Sequence, residues 1–565
     1  MSESLSYLAY HEPPIATILN QSGFLIALNL INGILDRLVH CGLIGQLLVG
    51  IVWGMPGAKW LDENIQSAIQ QLGYLGLIAL VYEGGLSVSF SSLRANLLLS
   101  IAVALTGIAV PIGLSFVLVT LLSATPLQAF AAGAALSATS LGTTFTILST
   151  TGLIKTRLGV VTTSAAMLDD VVGLVMVQVI TNLGNASEHT SFDAVTVVRP
   201  IVVSIGIAVA LVLACRFVFG PLLKKIIANK KRVPAFIGTF GFAALAHTCI
   251  LFGLVAGGTY AGASSLFAAY LAGAIITWFD DVTGISGARN AAGVQDTDSP
   301  SSQAEPDGLE TGGGSSSVSL PTGEQVYERY YKGPVNSILK PLFFASIGFA
   351  IPITEMFHGE VVWRGIVYAV LMAFGKLVTG LWLCRVSFSP IPILLSKLKS
   401  MLIHKLSFCA LSRKNKDIGT EKQHKGHNTN NRTSTQNDQR PMGPQKASSN
   451  SQGTAPEGAY PPSSALPPKP ISLYPSSILG LSMVARGEIG YLIASLAETG
   501  GVFSRNPSGD DAGKSSQIYL VVVWAITLCT LFGPISVGTM VNRVKKLQKQ
   551  RRGSGGPDPL GIWGI

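Results

Sequence analysis

The residues best suited to chemistry in this chain are charged ones in places where charge is costly. Asp169 and Asp170 lie side by side in Ser164-Ala165-Ala166-Met167-Leu168-Asp169-Asp170-Val171-Val172-Gly173, near the middle of an apolar run over 157–182. At the centre of a bilayer a charge costs roughly 2.5–3.5 kcal/mol even on lenient insertion scales, so such residues mark ion pathways by default. Neighbours on a helix point about 100° apart. One carboxylate can therefore face a watery ion site while the other meets a different partner. The plainer alternative is a pair of protonated or hydrogen-bonded packing residues.

Lys376, in Phe374-Gly375-Lys376-Leu377-Val378-Thr379-Gly380, falls well inside a second apolar run over 362–385. Burial disfavours its charged form and a nearby carboxylate restores it, which makes it a natural partner for one of the two aspartates. Snorkelling is the alternative, but at 1.5 Å per residue the inner interface lies about 12 Å away, beyond the reach of a lysine. Arg486 and Glu488 lie in Met483-Val484-Ala485-Arg486-Gly487-Glu488-Ile489-Gly490. Residues two apart do not face each other on a regular helix, and the two glycines predict a break. Ser137-Ala138-Thr139-Ser140-Leu141-Gly142-Thr143-Thr144 is another hydroxyl-rich stretch in mid-run. Two interrupted helices in corresponding halves mark an inverted-repeat transporter whose freed carbonyls and hydroxyls can ligate a cation near the midplane. Small-residue helix packing is the competing reading of each stretch alone. Glu83, beside Gly84-Gly85, reads as a structural or gating residue. His247 reads as a packing histidine, and Asp280-Asp281 as a solvated pair closing a run.

These residues need helices to hold them in a membrane. Charged residues make up 12% of the 565, about half the usual share for a soluble protein, and mean hydropathy is +0.46. With 61 glycines, the composition suits closely packed membrane helices. Apolar runs predict 13 spans, near 15–38, 41–57, 68–90, 95–123, 126–150, 157–182, 197–222, 234–255, 258–279, 334–352, 362–385, 474–498 and 516–541. In lipid each must satisfy its own backbone, so each is expected to be a helix.

The net charge of +10 reflects lysines and arginines between spans, a positive-inside bias and no sign of nucleic-acid binding. Lys155, Arg157, Lys224, Lys225, Lys230, Lys231, Arg232 and the tail from Arg543 fall on one side. With 13 spans this predicts an outside or lumenal N-terminus and a cytoplasmic C-terminus. The six cysteines show no paired spacing and read as small buried residues. No cleavable signal is expected, because the first residues lack a basic region.

The resulting organisation is a first membrane part over 1–282, a disordered cytoplasmic loop over 283–333, spans over 334–385, a disordered insertion over 386–473, spans over 474–541, and a basic tail over 542–565. The two insertions are rich in Ser, Gly, Asn, Gln and Pro and cannot bury enough apolar surface to fold.

Taken together and in order, these motifs resemble the monovalent cation:proton antiporter superfamily, within its second family. The resemblance also rests on the glycine pattern Gly45-Gln46-Leu47-Leu48-Val49-Gly50-Ile51-Val52-Trp53-Gly54 and on Phe343-Phe344-Ala345-Ser346-Ile347-Gly348-Phe349 ahead of the lysine helix. It implies an all-α fold of two inverted six-helix repeats joined by a linking helix, with two broken, crossing helices. Spans 4–6 and 11–13 would form a moving core, and spans 1–3 and 8–10 a dimer scaffold.

It implies exchange of Na⁺ or K⁺ for H⁺, with Asp170 carrying cation or proton and Asp169 paired with Lys376. Thr139 would help ligate the ion beside Ser140, and Arg486 and Glu488 would belong to the second crossing. Some relatives carry Asp where this chain has Ser140, so charge compensation at the crossing is left open. The resemblance further implies a homodimer, and no cofactor beyond the transported ions. The membrane is either the plasma membrane or an endomembrane. A K⁺ efflux or channel-like transporter of the same fold is the main alternative, although a tail of about 24 residues leaves no room for a nucleotide-binding domain. An intramembrane aspartyl protease is remote, because neighbours on one helix cannot face each other across a peptide bond.

Overall fold

The computed structural model describes residues 12–39, 42–150, 152–186, 194–221, 239–282, 321–384, 472–504, 515–554 and 558–564. Residues 283–320 and 386–471, which make up most of the two expected insertions, lie outside them. All elements below belong to one compact unit, Met1–Arg385 with Lys469–Ile565.

Every regular element among the described residues is a helix. The first four are α1 (Ile15–Val39), α2 (Gly42–Trp53), α3 (Glu63–Leu86) and α4 (Phe90–Ser115). The expected span 126–150 divides into α5 (Pro126–Ser137) and α6 (Leu141–Thr150). α7 (Arg157–Ala186) carries both aspartates. Then come α8 (Ala194–Ala214), α9 (Phe240–Ala261), α10 (Ser265–Val282), α11 (Gly323–Tyr330), α12 (Lys340–Phe349) and α13 (Gly359–Leu377). The expected span 474–498 divides into α14 (Tyr474–Ser482) and α15 (Glu488–Thr499), and α16 (Gln517–Ser554) closes the bundle.

Nine helices among the described residues are long and apolar enough to cross a membrane. The chain is thus an integral, multi-pass membrane protein. Of the 13 expected spans, the other four are the short α2, the two divided ones and 334–352. That last one opens with a π turn over Val335–Leu339 ahead of α12.

Glycine lets the scaffold helices meet at backbone distance. A Cβ on Gly50 of α2 would lie 2.2 Å from the Ala345 carbonyl oxygen of α12. Only hydrogen fits there, which gives the glycine pattern of α2 its packing role. The capping box of α5, in which Thr125 and Gln128 serve each other's backbone N–H groups, fixes where the first divided helix begins.

Three expectations need correction. Residues 321–333 are not loop: Thr322 and Gln325 form another capping box, and α11 runs from it into the turns before α12. Averaging composition over 283–333 hid this local helix-start signal. Asp280 is not simply solvated, because its Oδ2 accepts a 2.7 Å hydrogen bond from the Gly323 backbone N–H. Asp281 is exposed. Lastly, α16 does not stop near 541 but continues to Ser554. Lys, Gln and Arg are good helix formers, so the loss of hydropathy there ends the apolar run and not the helix. Beyond it Leu560 and Trp563 are buried, and the Arg157 guanidinium lies 5.2 Å from the Trp563 ring centroid.

Candidate functional site

The site forms where the two divided helices cross against α7. Between α5 and α6, Ala138 is extended (φ −62°, ψ 136°). Between α14 and α15, Gly487 is also extended, and a Cβ there would come within 2.7 Å of the Ser140 side chain. The Ser140 backbone N–H donates to the Ala485 carbonyl at 2.9 Å, so the two breaks bond directly to each other. The Thr144 hydroxyl reaches across to the Ser482 carbonyl at 3.0 Å.

Helix ends buried in such a crossing leave backbone groups without intrahelical partners. Arg486 answers this at one end. It is fully buried, and Nη1 donates to the carbonyls of Ala138 at 3.2 Å and Ser137 at 3.5 Å, at the C-terminus of α5. Glu488 answers it at another, lying in the first turn of α15 where a carboxylate complements the positive end of the helix. At the start of α6 the cap is Ser140 itself, whose Oγ accepts from the Thr143 backbone N–H at 3.5 Å. Arg486 and Glu488 serve different helix ends.

The two aspartates have separate surroundings. Asp169 is fully buried. Its Oδ2 receives the Lys376 ammonium at 2.8 Å and also accepts from the Thr139 hydroxyl. Lys376, equally buried, donates a further 2.8 Å bond to Thr139 Oγ1. Asp170, 8% exposed, points elsewhere. Oδ1 of both aspartates has no hydrogen-bond partner among the described residues, so the two differ in what surrounds the other oxygen and in the cavity. Asp170 lines a cavity of about 430 Å³ together with Ser140, Thr143, Tyr270 and Glu488. The lining also includes Asp36, Glu83 and Lys340. Four carboxylates and one lysine thus surround this space, which gives it an electrostatic preference for cations.

The structure brings Thr139, Asp169 and Lys376 into one hydrogen-bonded cluster and puts Ser140, Asp170 and Glu488 on the adjoining cavity. Arg486 is at the crossing but bonds to neither aspartate. Glu83 accepts a 3.0 Å hydrogen bond from the Tyr327 hydroxyl of α11 and also lines the cavity. His247 sits apart, with Nδ1 buried. Sequence reasoning missed Asn32, Gln46, Tyr270 and Asn336 on the cavity wall. Gln46 was legible as a polar side chain inside an apolar run. Asn32 was legible in the same way, inside the first apolar run, whereas Asn336 lies just ahead of α12 and Tyr270 is aromatic, and nothing local distinguishes those two.

No cluster of three or more metal-ligating side chains occurs among the described residues. Cys215, Cys249, Cys384 and Cys529 are free thiols.

Comparison with known proteins places these features in a family context. The family model for the sodium/hydrogen exchanger transmembrane region matches residues 24–288. The chain is 31% identical over 140 residues to the Na⁺/H⁺-K⁺ antiporter GerN of Bacillus cereus, covering 25% of this chain and 36% of that protein. It is 32% identical over 148 residues to the high-affinity Na⁺/H⁺ antiporter NhaS3 of Synechocystis, covering 26% and 32% respectively. These matches span about a third of each relative's length. In fold, the chain is similar to the sodium proton antiporter MjNhaP1 from Methanocaldococcus jannaschii, with a TM-score of 0.52 at 12% identity, covering 94% of this chain and 99% of that one.

Proposed function

We propose that this chain, whose residues 24–288 match the sodium/hydrogen exchanger family model, is a monovalent cation:proton antiporter that exchanges Na⁺ for H⁺ across a membrane, with Asp170 as the carboxylate that alternates between the two. One observation carries this reading. Of two adjacent buried aspartates, Asp169 is held by Lys376 and Thr139, while Asp170 alone borders an acidic cavity. A monovalent cation arriving through that cavity meets the Asp170 carboxylate, the Ser140 and Thr143 hydroxyls and the Glu488 carboxylate. A proton neutralises the same carboxylate. Because one group serves both, cation and proton exclude each other, and that is the basis of exchange.

The cavity wall combines two sets of helices. α1, α2, α3, α10 and α12 supply one side, and α6, α7 and α15 the other. This division supports an elevator-like movement of a core (α4–α7 and α13–α16) against a scaffold, with the cavity as the access route on one side. On the positive-inside pattern that side is cytoplasmic. Scaffold helices α1 and α9 leave most of their apolar surface uncovered, and a homodimer through α1 or α9 is part of this reading. K⁺ is the second cation to test, since the relative GerN is named as an exchanger of both ions.

Purified protein in proteoliposomes with an internal pH dye tests the proposal against Na⁺, K⁺ and Li⁺. Na⁺-driven pH change is expected in the wild type and none in Asp170→Asn that inserts and folds normally. Cation-dependent proton flux retained in Asp170→Asn would overturn the assignment.

A further inference from the structure

A larger cavity, about 810 Å³, lies away from the ion site, between the C-terminal end of α8, the C-terminal half of α10 and the start of α4. Its walls are almost wholly apolar, including Ala208, Leu211, Leu271, Ala274, Ile275 and Trp278. Its size falls in the range of pockets that enclose a small molecule, roughly 300–1,000 Å³. One charged residue lines it, Arg216. Arg216 is exposed and forms no ion pair with any described residue. It lies where the helix opens into a π turn over Cys215–Phe219, a widening frequent at functional sites.

From this geometry we infer a binding site for one anionic phospholipid, its acyl chain in the cavity and its headgroup phosphate on Arg216. Three features fit this occupant. The helix around the cavity faces outward with apolar side chains, Val209, Val212, Phe217 and Phe219 among those exposed, so the cavity opens to hydrocarbon and not to water. The guanidinium matches a phosphate in bidentate fashion, which a neutral hydrophobic ligand would not use. The charge stands at the end of the helix that the basic residues after Pro221 mark as cytoplasmic, the side where anionic lipids concentrate. Trp278, packed edge-on against Phe279 with 5.3 Å between centroids, supplies the amphipathic ring suited to that depth. The site does not depend on the ion chemistry proposed above.

Trp278 also provides the probe. Wild-type protein and Trp278→Phe are placed in nanodiscs of unbrominated lipid carrying increasing fractions of brominated phosphatidylglycerol or brominated phosphatidylcholine. The fluorescence difference between the two proteins isolates quenching at the cavity. Brominated phosphatidylglycerol is expected to quench at about fivefold lower mole fraction, as one basic residue near an anionic surface predicts. Arg216→Gln should erase that preference and Arg216→Lys should keep most of it. Ala274→Phe, which places a ring in the cavity, should weaken the quenching by both lipids. Equal quenching by the two lipids in the wild type overturns the proposal without recourse to any variant. So does a preference that survives Arg216→Gln, or quenching undiminished in Ala274→Phe, which would mean ordinary boundary lipid.

Discussion

The two helix breaks face each other across the same crossing yet are built from different chemistry. The first, Ala138-Thr139-Ser140, carries no charge. It contributes a hydroxyl that joins Lys376 to Asp169 and a backbone N–H that bonds to the second break. The second, Met483 to Gly487, carries a fully buried arginine whose hydrogen bonds end on carbonyls of the first. One break therefore serves the ion-pair cluster, and the other holds the crossing together. A crossing of two broken helices needs both, because the helix ends it exposes must find partners inside the protein.

This division of labour can be broken at its strongest point first. Arg486→Leu should leave the Ser137 and Ala138 carbonyls unpaired and destabilise the protein by about 3 kcal/mol, since hydrogen bonds to charged groups contribute roughly 1.5–3 kcal/mol each. A thermal unfolding midpoint in detergent should fall clearly, and Arg486→Lys should restore only part of it, because a point charge does not reproduce the planar fork. An unshifted midpoint would remove the structural role given to the second break.

Thr139→Val should act on transport more than on folding. The direct Lys376–Asp169 contact remains, but the hydroxyl joining them is lost. A cost near 1.4 kcal/mol corresponds to about a tenfold fall in exchange rate. Proteoliposome rates beside a thermal midpoint separate the two effects. If stability fell as far as in Arg486→Leu, the contrast between the breaks would fail.

Glu488→Gln removes a carboxylate from the first turn of α15 and from the cavity beside Asp170. Charges at helix ends contribute about 0.3–1 kcal/mol, so the Na⁺ concentration for half-maximal exchange should rise about two- to fivefold with the fold intact. Ser140→Ala should matter least for folding. Its backbone makes the crossing bond, and its hydroxyl caps Thr143 only through a long 3.5 Å contact. About 0.5 kcal/mol, the low end for a cap, is expected in the unfolding midpoint.

Much of this molecule was legible before any coordinates. Asp169, Asp170, Lys376 and Arg486 stand out because the cost of placing a charge in hydrocarbon is local and can be read from each residue and its neighbours. The same holds for the two breaks, where glycines and hydroxyl residues interrupt apolar runs, and for the all-helical class, which follows from satisfying backbones in lipid. The start of α11 and the extension of α16 were also encoded, in a capping box and in helix-forming basic residues. Hydropathy averaging passed over both.

What the tertiary structure alone decided is who meets whom. Lys376 reaches Asp169 across 207 positions, and Arg486 reaches Ala138 across 348. No periodicity or spacing registers contacts of that range, because they depend on how packed helices cross. The same crossing aims Asp170 at the cavity and turns Asp169, its neighbour on one helix turn, into the dry interior. Composition could specify that two carboxylates would sit in the membrane. Only the packing of α6, α7, α10 and α15 around them made one accessible and the other fixed.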